Sequence, residues 1–232
     1  MSPSFSIVIP VFNEAGFLPT AIPVLTSQLE DLNVPWSVTI VENGSTDDTA
    51  AVARQLAGEL PIEVVSLPQP DYGAAMRRGF ELAEGDWVVN FDIDYFSADF
   101  LRQVMALKDI DLVIGSKRDP GSEDRRPLIR RLATMIFNLL LTTVLGSGVS
   151  DTHGMKAFRS TLVDDILPAV GSTEDLFDTE LVVRAERAGY RIAEVPVVVE
   201  EIRSAKSSLL KRVPRTVAGL WRIRKALRAE SR

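Results

Sequence analysis

Val88-Val89-Asn90-Phe91-Asp92-Ile93-Asp94-Tyr95-Phe96 is the stretch from which the rest of the chain can be read. Apolar residues interrupted by one Asn lead into two carboxylates one residue apart, the pattern of a buried strand that ends at a charged site. Spaced i, i+2 where the chain begins to turn, Asp92 and Asp94 can both reach one hard divalent cation. Such a cation takes oxygen ligands, and Mg²⁺ or Mn²⁺ often completes its shell with water and substrate phosphates. The pair therefore points to a phosphate-bearing substrate. Taken alone, an Asp-x-Asp is more often a solvated turn, so its surroundings decide.

Working outward, Phe5 to Pro10, Trp36 to Glu42, Ile62 to Leu67 and Asp86 to Phe91 read as strands. Between them lie helices over about Phe17 to Leu32, Thr49 to Leu60 and Gly73 to Ala83. After Asp94, Ser97 caps a helix reaching about Leu107, and Asp111 to Gly115 is a fifth strand. Strands alternating with helices imply crossover connections, a mostly parallel sheet and ligand binding at the carboxyl ends of the strands. Asn13-Glu14, Glu42-Asn43 and Asp92/Asp94 all fall at that edge.

The 232 residues suffice for one good-sized domain with a substantial core, and 46% apolar with 25% charged residues is an ordinary globular composition. No Cys is present, which removes disulfides and thiolate metal sites and agrees with a reducing compartment. The N-terminus lacks the layout of a signal peptide. The net charge of −6 conceals an asymmetry: residues 1–201 carry −15 and residues 202–232 carry +9. An acidic body argues against nucleic-acid binding, and a basic tail suggests an anionic membrane surface as partner.

Four motifs in fixed order resemble the family 2 glycosyltransferases of GT-A fold, a Rossmann-like α/β architecture. They are Pro10-x-x-Asn13-Glu14, Glu42-Asn43-Gly44-Ser45-Thr46-Asp47, Tyr72-Gly73-Ala74-Ala75-Met76-Arg77-Arg78-Gly79 with Ala83-Glu84-Gly85-Asp86, and Asp92-Ile93-Asp94. The resemblance implies a nucleoside-diphosphate sugar as donor. Pro10, Asn13, Glu14, Glu42 and Asn43 form the nucleotide edge, Gly73 and Ala74 permit close approach, and Arg77 serves the diphosphate with its always-charged planar fork. Asp92, Ile93 and Asp94 complete the donor site, and the two carboxylates hold Mg²⁺ or Mn²⁺. Many relatives have Asp-Asp where this chain has Glu42-Asn43, and lipid-phosphate members often have Gln where it has Phe96.

The second half sharpens the resemblance. Arg130 to Asn138, followed by Asp151-Thr-His153-Gly154-Met-Lys156-Ala-Phe158-Arg159, is similar to the polyprenyl-phosphate sugar transferases of the dolichyl-phosphate mannose synthase type. That branch implies GDP-mannose or a UDP-hexose as donor, a polyprenyl phosphate as acceptor, inversion at the anomeric carbon, and a peripheral place at the cytoplasmic face of the membrane. Lys117, Arg131, Arg203, Lys206 and Ser207 are its acceptor-phosphate candidates. His153, the single His, is read as structural more often than catalytic. Phe177-Asp178-x-Glu180-Leu181, in a helix expected from Ser172 to Ala188, matches the lipid-phosphate members, while Asp178 also stands where hydroxyl-glycosylating members keep their base. A hydroxyl must lose a proton as it attacks, whereas a phosphate monoester is largely ionised already. A hydroxyl acceptor with Asp178 as base, and an inert GT-A scaffold at the membrane, stay open as alternatives.

The expected division is a catalytic domain over 1–201, with a donor half to about 116 and an acceptor half over 117–201, and a basic amphipathic tail over 202–232. Residues 116–127 read as a loop that closes over the donor. Leu132 to Leu145 is a run of fourteen uncharged residues. As a helix it covers about 21 Å, short of a bilayer core of roughly 30 Å, so it is either a buried core helix or an interfacial amphipathic one. A last strand follows over Glu194 to Val199. From Pro214 a basic helix places Val217, Leu220, Trp221 and Leu227 on one face and Arg215, Arg222, Lys225 and Arg228 elsewhere, and its polybasic side is expected to contact an anionic membrane. A membrane-protein partner or a homo-oligomer is left undecided.

Overall fold

The computed structural model describes residues 2–230 except 59, 118, 120, 126, 151, 153, 174, 175 and 200–208. The alternating half runs β1 (Phe5–Val11), α1 (Leu18–Glu30), β2 (Trp36–Asn43), α2 (Thr49–Ala57), β3 (Ile62–Leu67), α3 (Tyr72–Glu81), β4 (Trp87–Asn90), α4 (Ala98–Ala106) and β5 (Leu112–Ser116). Then come the two-residue β6 (Glu123–Asp124), α5 (Leu128–Leu140) ending in a π-helical turn over Leu141–Leu145, and β7 (Lys156–Arg159). α6 (Ser160–Ile166), α7 (Phe177–Arg187), β8 (Ile192–Pro196), the short β9 (Val198–Val199) and α8 (Leu209–Glu230) complete the chain.

Seven strands form one sheet in the order β3-β2-β1-β4-β7-β5-β8. All pairings are parallel except those of β7, which runs antiparallel to both β4 and β5. The two halves expected from the sequence therefore share one sheet, because β7 from the second half is inserted between two strands of the first. A small second sheet pairs β6, inside the stretch read as a loop over 116–127, with β9.

The strands are near-continuous apolar runs because both faces are covered. Period-two alternation divides the side chains between two layers. Ile7, Ile9, Val89 and Phe91 pack with Ile22 and Leu25 of α1 and Leu101 and Val104 of α4. Val8, Val41 and Val88 pack on the other face with Met76 of α3, Leu162 of α6 and Leu181 of α7. Each such buried aliphatic side chain contributes about 1.5–3 kcal/mol.

The amphipathic C-terminal helix is docked. α8 starts at Leu209, before the Pro214 expected at its first turn, and Leu220, Ile223 and Leu227 are buried in a third cluster with Leu141, Leu145, Leu176 and Val183. Gly219 allows this approach, since a Cβ there would lie 2.2 Å from Leu176 Cδ1. Arg184 of α7 adds a bidentate ion pair to Glu230, at 2.7 and 3.1 Å. Leu220 and Leu227 thus face the domain, while Trp221 stays exposed.

Candidate active site

β4 ends at Asn90, and the chain then closes a tight turn. The amide of Asp92 donates to Tyr95 O at 3.3 Å and that of Tyr95 to Asp92 O at 2.9 Å. Ile93 is buried in the core beneath the turn, so Asp92 and Asp94 flank a hydrophobic anchor. Asp92 reaches solvent at the rim, yet the protein crowds it enough that desolvation, and next the Asp94 carboxylate, raise its pKa from 3.8 to about 6, with Lys156 pulling it down. Carboxylates crowded in this way suit a divalent cation, and the all-oxygen donor set suits Mg²⁺ or Mn²⁺. Among the described residues no cluster of three or more Asp, Glu, His or Cys could hold a metal.

Beneath the pair lies a buried polar network centred on one atom. Asp178 Oδ2 accepts from Lys156 Nζ at 3.0 Å, Asn90 Nδ2 at 3.1 Å and the Tyr72 hydroxyl at 3.0 Å. Burial, then the charges of Asp178 and Asp92, hold the Tyr72 phenol well above its ordinary pKa, so it remains a donor. Lys156 also donates to Gly154 O at 2.7 Å. Gly154 adopts φ +130°, and a Cβ there would lie 3.3 Å from Lys117 Nζ, whose ammonium sits 5.9 Å from the centre of the Tyr95 ring. Tyr72, Asn90 and Lys156 carried no role in the sequence reading. The signals were an Asn interrupting the apolar run of β4 and a Lys opening the strand Lys156-Ala157-Phe158.

The edge at which the sequence places the nucleotide is built from interlocked loops. Asn13, at φ 54°, accepts the amide of Thr46 on Oδ1 at 2.8 Å, and its own amide donates to Ser45 Oγ at 3.0 Å. The amide of Glu14 donates to Thr49 Oγ1 at 2.8 Å, Glu42 Oε1 accepts from Ser45 N at 2.5 Å, and Asn43 Oδ1 accepts from Asp71 N at 2.7 Å. Pro10 lies in β1, half-buried; Gly73, buried, and Ala74 lie in the first turn of α3. The side chains of Asn13, Glu42 and Asn43 therefore shape this edge, with Glu42 and Asn43 buried.

Arg77 departs from expectation. Its guanidinium donates to Leu167 O at 3.1 Å and to Val170 O, and it lies 5.9 Å from the Phe177 ring. It closes the carbonyl end of a 3₁₀ turn over Leu167–Ala169 and is engaged there. Arg131 is exposed on α5. Arg203, Lys206, Ser207 and His153 lie outside the described residues.

The sequence model of glycosyl transferase family 2 matches residues 6–167. The chain belongs to that family. It is 31% identical over 217 residues to glycosyltransferase AglD of Haloferax volcanii, covering 89% of this chain and 34% of the relative. It is 30% identical over 168 residues to the undecaprenyl-phosphate 4-deoxy-4-formamido-L-arabinose transferase of Salmonella choleraesuis, covering 70% of this chain and 50% of the relative. The chain thus spans a third to a half of the length of these curated relatives. Among solved structures it resembles glucosyl-3-phosphoglycerate synthase of Mycobacterium tuberculosis in complex with Mn²⁺, UDP and phosphoglyceric acid, with a TM-score of 0.70, 22% identity, and coverage of 96% of this chain and 78% of that one. That likeness establishes the GT-A fold.

Proposed function

We propose that this protein transfers one sugar from a nucleoside-diphosphate sugar to a polyprenyl phosphate, with inversion at the anomeric carbon. The observation that carries the choice of acceptor is the state of Asp178. Its Oδ2 is occupied by three donors and its side chain is 8% exposed, a poor arrangement for a base that must take a proton from an incoming hydroxyl. A phosphate monoester needs no such base. The relative from Salmonella, by its name, works on an undecaprenyl phosphate.

In this reading the donor lies along Pro10, Asn13, Glu14, Glu42, Asn43, Gly73, Ala74 and Ile93, with the sugar toward Asp92 and Asp94. Bound to those two carboxylates, Mg²⁺ or Mn²⁺ supplies charge neutralisation of the departing diphosphate. Lys117, with Arg131 and, from the undescribed segment, Arg203, Lys206 and Ser207, receives the acceptor phosphate. A phosphate oxygen attacks the anomeric carbon; the new C–O bond forms as the bond to the nucleoside diphosphate breaks, and the electron pair leaves on the diphosphate oxygen. UDP in the complexes of the structural neighbour favours a UDP-sugar over GDP-mannose.

The acceptor places the enzyme at a membrane surface, and α5 has the face for it. Leu128, Ile129, Leu132, Met135, Ile136 and Leu139 are between 50% and 76% exposed and recur at helical spacing, with Arg125 and Arg131 exposed nearby. Such a helix lies in the headgroup layer. No described helix is long and apolar enough to cross a membrane.

Asp178→Asn tests the acceptor assignment, because Asn keeps an oxygen for the three donors but cannot serve as base. Turnover onto polyprenyl phosphate is expected to fall about tenfold or less, general-base loss being worth about 10²–10⁴-fold. A loss of 10³-fold or more at unchanged donor affinity would instead mark a base and a hydroxyl acceptor.

A further inference from the structure

Lys156 is completely buried, and burying an ammonium costs several kcal/mol unless its partners compensate. Hydrophobic replacement of such a pair is often neutral or stabilising, so stability alone is a weak reason to keep one. Its surroundings suggest another reason. Lys156 stands opposite Asn90 in the β4–β7 ladder, two residues before Asp92, and opposite Ile114 in the β5–β7 ladder, three residues before Lys117. Its ammonium bonds Asp178 Oδ2 on α7 and Gly154 O in the loop against which Lys117 lies. Its charge also reaches Asp92. One cation thus touches the carboxylate under the transfer site, the loop beside the acceptor-side lysine, and the field of the metal-side carboxylate.

We infer that Lys156 is a positioning residue for sugar transfer, fixing Asp178 and the Gly154–Lys117 contact relative to Asp92 and Asp94 so that acceptor and donor meet in line. This rests on the function proposed above. Without the ammonium, Asp178 loses its ion-pair partner and Gly154 O loses its donor, so the acceptor side shifts while the nucleotide edge, built from β1, β2 and their loops, does not. A misplacement of about 1 Å costs on the order of 100-fold in rate.

The test compares wild type, Lys156→Met, Lys156→Arg and the double variant Lys156→Met/Asp178→Leu. Three quantities are read: kcat with polyprenyl phosphate, calorimetric affinity for UDP with Mn²⁺, and Tm. The expected result for Lys156→Met is a kcat lower by roughly 30- to 100-fold with UDP affinity within about threefold. Lys156→Arg should recover part of kcat, and the double variant should recover Tm without kcat. The inference is overturned if Lys156→Met keeps kcat within threefold, if its UDP affinity falls in parallel with kcat, or if the double variant recovers kcat together with Tm. If Lys156→Met does not fold, the double variant, with the buried charges removed, decides. A wild type that transfers nothing to polyprenyl phosphate fails the function itself, an outcome distinct from an active wild type with an equally active variant.

Discussion

Asn90 and Lys156 stand directly opposite each other across the antiparallel β4–β7 ladder, and both side chains reach the same oxygen of Asp178. Within the seven-stranded sheet β7 runs against both of its neighbours, and its insertion beside β4 is what carries a buried cation from the second half of the chain to the floor of the Asp92–Asp94 site. The site is therefore a property of the whole sheet. Neither half holds it alone.

Asp94→Ala should abolish metal-dependent turnover. Losing one electrostatic stabiliser of a developing charge costs about 10²–10³-fold, and here one of the two proposed metal-holding carboxylates is removed. Calorimetry should show weaker UDP binding in Mn²⁺ and little change in its absence. Equal UDP affinity in Mn²⁺ for variant and wild type would exclude Asp94 as a ligand.

The raised pKa of Asp92, about 6, fixes a pH dependence of the metal-free protein. The folded state holds this proton more tightly than the unfolded chain, whose carboxyl titrates near 3.8. Asp92 therefore costs nothing below about pH 4, and its penalty grows as pH rises toward about 6. In Tm measurements across that window, Asp92→Asn should gain on wild type as pH rises. Mn²⁺ should stabilise wild type more at pH 7 than at pH 5. A constant Tm difference between the two proteins from pH 4 to 7 would count against the shift.

The first four strands were legible because buried parallel strands are short apolar runs with turn signals at their ends, and Phe5 to Val11 needs nothing more. The acid pair was legible for the same reason, standing where such a run stops. β7 and α6 were harder. Lys156-Ala157-Phe158-Arg159 has charges at both ends, and its strand character comes from neighbours on both sides, not from its own pattern. The contacts of Arg77 were not legible because a guanidinium near a small-residue helix start suits phosphate, but it suits the backbone carbonyls of Leu167 and Val170 equally well. The apolar face of the last helix has the same pattern whether it meets lipid or protein, and Leu176 and Val183, distant in sequence, are what cover it.

That docking predicts a stability cost in α8. Leu220→Ala removes a fully buried side chain and should destabilise by about 2–5 kcal/mol in denaturant unfolding. Glu230→Gln should cost at most about 1 kcal/mol, since Glu230 is half exposed and Arg184 keeps its 2.8 Å bond to Glu180. A change below about 0.5 kcal/mol for Leu220→Ala would mean that α8 leaves the domain in solution.

The exposed face of α5 predicts the opposite combination. Leu132→Glu with Leu139→Glu, both at exposed positions, should leave Tm nearly unchanged while weakening sedimentation with vesicles rich in anionic phospholipid. Adding salt should weaken wild-type binding only partly, because insertion of apolar side chains is not screened. Equal vesicle binding by wild type and variant would remove α5 from the membrane contact.

The most direct test is transfer of radiolabelled sugar from a panel of UDP- and GDP-sugars into organic-extractable material, with polyprenyl phosphate and Mn²⁺ or Mg²⁺ present. The expected result is metal-dependent label in the lipid phase from one donor, absent with Asp94→Ala. Label that never enters the lipid phase from any of these donors, from a protein that still binds UDP in Mn²⁺, would contradict transfer to a polyprenyl phosphate.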